Sequence, residues 1–132
     1  MSQENVELVL GIYASWQEGD FSKTDWAADD IEFWPMEVWP DAANGRGIEH
    51  MRTTWRSFLT EWKDVRTSAE ETIAVDEHVV VRSRFHGHGS ASGVSMESMA
   101  ASAVFTIRDG KVARLALYGH MTEALEAVGL AK

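Results

Sequence analysis

Val104-Phe105-Thr106-Ile107-Arg108-Asp109-Gly110-Lys111-Val112-Ala113-Arg114-Leu115-Ala116-Leu117 is the stretch that decides the fold. Two apolar runs meet at Asp109-Gly110, a pair suited to the positive φ that both centres of a two-residue hairpin turn require. Unbroken pairing outward from Arg108 and Lys111 places Ser98, Ala100, Ser102, Val104 and Thr106 on the same face as Ala113, Leu115, Leu117 and Gly119. The other face then carries Met99, Ala101, Ala103, Phe105 and Ile107. That stripe is too apolar for a solvated sheet and implies either a dimer or partial helix cover, of which a symmetric homodimer through the outer sheet face is the expectation.

Upstream, His78 to His88 reads as a strand that turns Val79, Val81, Ser83 and Phe85 inward. Before the turn at Asp76-Glu77, a period of two puts Val65, Thr67, Ala69, Ile73 and Val75 on one side of another strand. Toward the N-terminus the period becomes helical. Val6, Val9, Leu10, Tyr13 and Trp16 mark a helix from Asn5 to Glu18 that ends at Gly19-Asp20, and Ile48, Met51, Trp55, Phe58, Leu59 and Trp62 mark a longer middle helix. Phe21 to Ala28 is expected to form a short second helix, and Ile31 to Trp34 a strand stopped by Pro35. Pro35 to Gly47 is expected to be a long irregular loop. Downstream, Thr122 to Val128 closes the chain as a helix before Gly129. The order predicts an α+β fold, a curved antiparallel sheet closed by N-terminal helices with a short C-terminal helix, as one domain spanning 1–132.

Composition narrows the function classes. The 132 residues include 12 basic and 21 acidic side chains, a net charge of −9, which repels phosphate backbones and anionic membranes. Neither nucleic acid nor membrane is expected as a partner. The chain has no cysteine, so disulfides, thiol nucleophiles and thiolate metal sites are excluded. No apolar run approaches the roughly 20 residues that span a bilayer, and Met1-Ser2-Gln3-Glu4 lacks a signal pattern, so a cytoplasmic address is expected. Six Trp, six Met and five Phe suit a deep core or an apolar ligand cavity.

Five motifs occur together in order: Tyr13-Ala14-Ser15-Trp16 with Gly19-Asp20-Phe21; Asp29-Asp30-Ile31-Glu32-Phe33-Trp34-Pro35; Arg46-Gly47-Ile48-Glu49; Arg108-Asp109-Gly110-Lys111-Val112; and Glu123 to Leu130. In this the chain resembles the SnoaL-like branch of the nuclear-transport-factor-2-like superfamily, over nearly its whole length. The resemblance implies a cone of curved sheet closed by helices, a pocket between sheet and helices, and a dimer. Ketosteroid isomerases, limonene epoxide hydrolases and polyketide cyclases share that fold with members that do no chemistry, so the fold leaves function open.

Position by position, the resemblance implies that the usual acids are missing. Where ketosteroid isomerases carry their base, this chain has Trp34; their acidic donor falls at Ser102, and their helix-one tyrosine at Ile12, beside Tyr13. The acidic position of the last strand is Leu117. The arginine and aspartate of epoxide hydrolases fall at Ser83 and Phe85, or at Arg84 and His86 with a one-residue slip. His120 replaces a capping aspartate, either as a changed cap or as a working group.

A hydrophobic small molecule is therefore the expected partner. Its binding residues are Trp16, Trp34, Trp39, Trp55, Phe58, Val81, Ser83, Phe85, Leu115 and Leu117, whose alternative role is core packing. Trp39, between Val38 and Pro40, is the best lid or pocket wall. If there is catalysis, whether isomerase-, cyclase- or hydrolase-like, its groups are Tyr13, Ser102 and His120; the imidazole alone titrates near neutrality. Glu37 and Asp41 are loop carboxylates, normally solvated. His86-Gly87-His88 with Glu97 lacks a clear third ligand, and Asn44-Gly45-Arg46-Gly47 lacks the phosphate-loop lysine, so neither a metal nor a cofactor is expected. A cavity filled by the chain's own Trp and Met would instead make it a non-catalytic dimerisation module.

Overall fold

The computed structural model describes residues 2–35, 38, 42–89 and 100–129. Its elements run α1 (Ser2–Gln17), β1 (Ala27–Trp34), β2 (Gly45–Arg46), α2 (Ile48–Glu61), β3 (Trp62–Val75), β4 (His78–Gly89), β5 (Ala100–Arg108), β6 (Lys111–Tyr118) and α3 (Met121–Ala127). The six strands form one sheet in the order β2-β1-β6-β5-β4-β3, open and curled as a cone. The sheet is mixed, because β1 runs parallel to β6 whereas the other pairs are antiparallel. A purely antiparallel sheet had been the expectation. The parallel pair arises because the chain crosses from β1 to β6 through five intervening elements instead of a hairpin.

Helix α1 buries Val9, Ile12, Tyr13 and Trp16, an i, i+3, i+4, i+7 stripe, and leaves Leu10 exposed. The helix stops in a Schellman motif: Gly19, at φ 87°, donates to Trp16 O, and Asp20 N donates to Ser15 O. Phe21 to Asp25 is not helical, contrary to the expected second helix, and the strand already begins at Ala27. Trp26 explains the change. Its indole N–H donates to Lys23 O at 2.9 Å, and its own carbonyl accepts from Val112 N, which ties the segment to β6. The expected loop between Pro35 and Gly47 contains β2, which pairs back onto β1 at Glu32 and Phe33.

The Asp109-Gly110 turn forms as expected, with φ 53° and 77°, and Arg108 faces Lys111. The register beyond it differs. Ile107 pairs with Val112, but Thr106 pairs with Arg114, so Ala113 is an extra residue on β6. This bulge turns β5 over relative to β6. Ala101, Ala103, Phe105 and Ile107 thus join Leu115 and Leu117 in the main core, beneath the helices. Ser102 and Val104 lie on the outer face. The apolar stripe read as a dimer surface is therefore the floor of the fold, apart from Met99, which lies outside the described residues with Ser98.

A second bulge does the same on β3. Ala69 pairs with Ser83 and Glu71 with Arg82, leaving Glu70 as the extra residue. Val65 and Ala69 consequently face the main core, whereas Ile73 packs on the opposite side with Val80 and Val104. Helix α3 covers that outer face through Ala124, Met121 and Leu125. Helices α1 and α2 cover the inner one.

Candidate functional site

The inner face is built from β3, β4, β5 and β6 with α1 and α2 laid over it. Rings fill much of the space. Tyr13 meets Trp16 edge-on at 5.0 Å between centroids, Trp16 meets Trp55 at 5.2 Å, Trp55 meets Phe58 at 6.1 Å and Phe58 meets Phe85 at 6.0 Å. Tyr13 also abuts Phe105 at 5.8 Å. Tilted and edge-to-face contacts of this kind each add about 0.5–1.5 kcal/mol beyond area burial. Over the cluster, Phe21 stacks on Trp16 and lies 5.0 Å from Trp55. There a surface cleft of about 440 Å³ opens between the α1–β1 connection and α2, with Arg52 and Arg56 on its rim.

Within this apolar lining three hydroxyls are buried. Tyr13 Oη and Ser83 Oγ share a 2.6 Å hydrogen bond. Burial holds the Tyr13 phenol far above its ordinary range, and the bond to Ser83 offsets this only in part. Tyr13 is therefore a neutral hydrogen-bonding group at any working pH. Thr67, 1% exposed, lies on β3 opposite Phe85 and two residues from Ala69, the partner of Ser83. Its hydroxyl has no hydrogen-bond partner among the described residues. Small side chains surround these groups: Ala69, Ser83 and Ala101 stand in one row across three strands, next to Val81, Ala103 and Leu117 in the following row.

Of the expected ligand-binding residues, Trp16, Trp55, Phe58, Val81, Phe85, Leu115 and Leu117 share this core, and Ser83 joins it through Tyr13. On β4, Ser83 and Phe85 face inward and Arg84 pairs outside with Glu70 at 2.8 Å. Trp34 stands elsewhere. It lies beneath the Arg114 guanidinium, 4.1 Å from its ring centroid, while Arg114 and Arg46 both pair with Glu32. Trp39, Glu37, Asp41 and Glu97 lie outside the described residues.

Tyr13, Ser102 and His120 are not assembled into one site. Ser102 donates to the Met121 sulfur at 3.6 Å on the outer face, a consequence of the β6 bulge. His120 is exposed at the N-cap of α3, where its backbone N–H donates to the Glu123 carboxylate. His88 lies 3.7 Å from Asp64, and the described residues contain no cluster of three groups suited to a metal ion. Nor do they include a helix long and apolar enough to cross a membrane. Thr67 is the residue that sequence reasoning passed over. Its signal was a polar side chain between Val65 and Ala69 on an inward-facing run.

Comparison with known proteins agrees with this architecture. An NTF2-like protein of unknown function from Burkholderia pseudomallei superposes with a TM-score of 0.76 at 16% identity, covering 96% of this chain and 98% of its own. TerC, co-crystallised with polyporic acid, gives 0.74 at 21% identity over 95% and 97%. A candidate SnoaL-like polyketide cyclase from Jannaschia sp. CCS1 gives 0.74 at 17% identity over 99% and 95%. These likenesses establish the fold. None of the curated proteins matches the sequence. The SnoaL-like domain model matches residues 9–115, and the chain belongs to that family, within the NTF2-like superfamily.

Proposed function

We propose that this protein is a small cytoplasmic homodimer that binds a hydrophobic small molecule between the inner sheet face and helices α1 and α2. The observation that carries the reading is the Tyr13–Ser83 pair set among small and aromatic side chains on that face. A few placed polar groups in an apolar lining are what a ligand site of this kind requires. Family membership supports it, as does the capture of polyporic acid with TerC, a protein of the same fold. Among the described residues the inner face offers hydroxyls but no carboxylate or imidazole. Binding is therefore favoured over isomerase-, cyclase- or hydrolase-like proton transfer, which needs a group titrating near neutrality. A dimer contact would use the outer face beside α3, near Ile73 and Tyr118.

The continuous ring contacts from Phe21 to Phe85 favour a second reading, in which the chain's own side chains fill the interior and the protein is a non-catalytic module. A thermal-shift screen against steroids, terpenoid epoxides and aromatic polyketides separates the two. A ligand at 100 times its Kd stabilises by about 2.7 kcal/mol, roughly 10 °C for a chain of this size. No shift with any class would favour the filled module.

A further inference from the structure

We propose that the cleft between the α1–β1 connection and helix α2 is a second binding site, separate from the inner sheet face, and that it takes a planar aromatic carboxylate. The inference goes beyond the small-molecule reading above and does not rest on it. The cleft, of about 440 Å³, is lined by residues 19–22 and by α2 alone, with no residue from any strand. That volume lies within the range of small-ligand sites. Arg52, Trp55, Arg56 and Leu59 stand at i, i+3, i+4 and i+7, so they share one face of the helix. Trp55 and Leu59 make that face an apolar strip, and Phe21 meets it from the connection with its ring 5.0 Å from that of Trp55. Phe21 and Leu59 are only half-buried, so part of the strip is open to a ligand.

The two arginines set the charge of that ligand. Guanidinium groups four residues apart on one helix repel each other, and a bound anion relieves the repulsion. Arg52 is engaged by Glu49 at 3.3 Å, in an exposed pair that solvent weakens. Arg56 has no ion pair and no side-chain hydrogen bond among the described residues. Asp20, the one carboxylate in the lining, is turned to its own connection: its Oδ1 accepts from Ser22 Oγ at 2.6 Å and Ser22 N at 3.0 Å, bonds that hold its carboxyl below the usual range. An uncommitted guanidinium therefore borders an aromatic floor. Its planar fork matches a carboxylate, and its face stacks on the ring that carries it. A neutral aromatic would leave the repulsion in place, and an aliphatic anion would leave the apolar strip uncovered.

The experiment titrates 1-naphthoate, 1-naphthylmethylamine and acetate calorimetrically at pH 7 into the intact chain and its Arg56→Gln and Arg56→Lys variants, and locates bound 1-naphthoate by intermolecular nuclear Overhauser contacts. The expected result is that 1-naphthoate binds and touches the methyls of Leu59 and Thr60, whereas acetate does not bind. Arg56→Gln is expected to weaken 1-naphthoate about fivefold, the scale of one partly exposed ion pair, and Arg56→Lys to fall between glutamine and arginine. Equal affinity in the intact chain and Arg56→Gln would overturn the role of Arg56. Contacts to Ala103 and Leu117 in place of Leu59 and Thr60 would move the molecule to the inner face and overturn the second site. Tighter binding of the amine would assign the cleft to cations through Asp20 and overturn the anionic class, and acetate binding as tightly as 1-naphthoate would overturn the aromatic one. No binding of 1-naphthoate would refute the inference outright.

Discussion

Removing the phenolic oxygen of Tyr13 tests the packing of the inner face at its most constrained point. In Tyr13→Phe the ring contacts to Trp16 and Phe105 persist, but Ser83, 2% exposed, loses its 2.6 Å partner. The net value of a neutral buried hydrogen bond is about 1 kcal/mol, and an orphaned hydroxyl adds roughly 1–3 kcal/mol, so a loss near 2 kcal/mol is expected. Ser83→Ala orphans the phenol instead and should cost about the same. The double variant leaves no unpaired group and should cost no more than either single change, a coupling of about 2 kcal/mol. Urea unfolding at neutral pH measures it. With m near 2 kcal/mol/M, each single change lowers the midpoint by about 1 M. Additive losses would refute the bond as a coupled, buried pair.

Further consequences concern pH and the two sheet faces. Because the folded-state pKa of Tyr13 lies above its unfolded value of 10, its contribution is complete below pH 10, and above it the unfolded chain releases a proton that the folded chain keeps. Stability should therefore fall by up to about 1.4 kcal/mol per pH unit above pH 10, and this component should vanish in Tyr13→Phe; identical alkaline profiles would contradict the burial of the phenol. Phe105→Glu should unfold the protein, at a cost of several kcal/mol for an unpaired charge in the core. A folded monomer released from a dimer, detected by light scattering with circular dichroism intact, would restore the outward-facing register. Ser102→Ala should cost under about 1 kcal/mol in chemical denaturation and leave ligand affinity unchanged, because its hydroxyl meets only the Met121 sulfur on the other side of the sheet.

Much of this architecture was legible in the sequence because it is written in short periods. The helical stripe ending at Gly19, apart from the exposed Leu10, the Asp109-Gly110 turn and the alternation of Val79, Val81, Ser83 and Phe85 appear in the structure where their spacing puts them. What alternation does not carry is an extra residue. Ala113 and Glu70 look like ordinary strand positions, yet each shifts the pairing by one and exchanges the faces of everything beyond it. That is why Ser102 was read as inward and Phe105 as outward. The absent second helix has a different cause: Trp26 is held by its indole to Lys23 in a local turn and by its backbone to Val112, a long-range bond that local propensity does not register. Ser83 was legible as an inner-face residue, but its pairing with Tyr13, 70 positions away, was not.

The most direct test of the account is a methyl-labelled NMR titration with 1-naphthol, since the two faces carry distinct reporters. Ala101, Ala103, Val81 and Leu117 lie on the inner side, and Val80, Val104, Ala124 and Leu125 on the outer. Intermolecular nuclear Overhauser contacts from the naphthol ring to the first set, with the second set silent, are the predicted result. Contacts confined to Val80, Val104 and the α3 methyls would contradict an inner-face binding site.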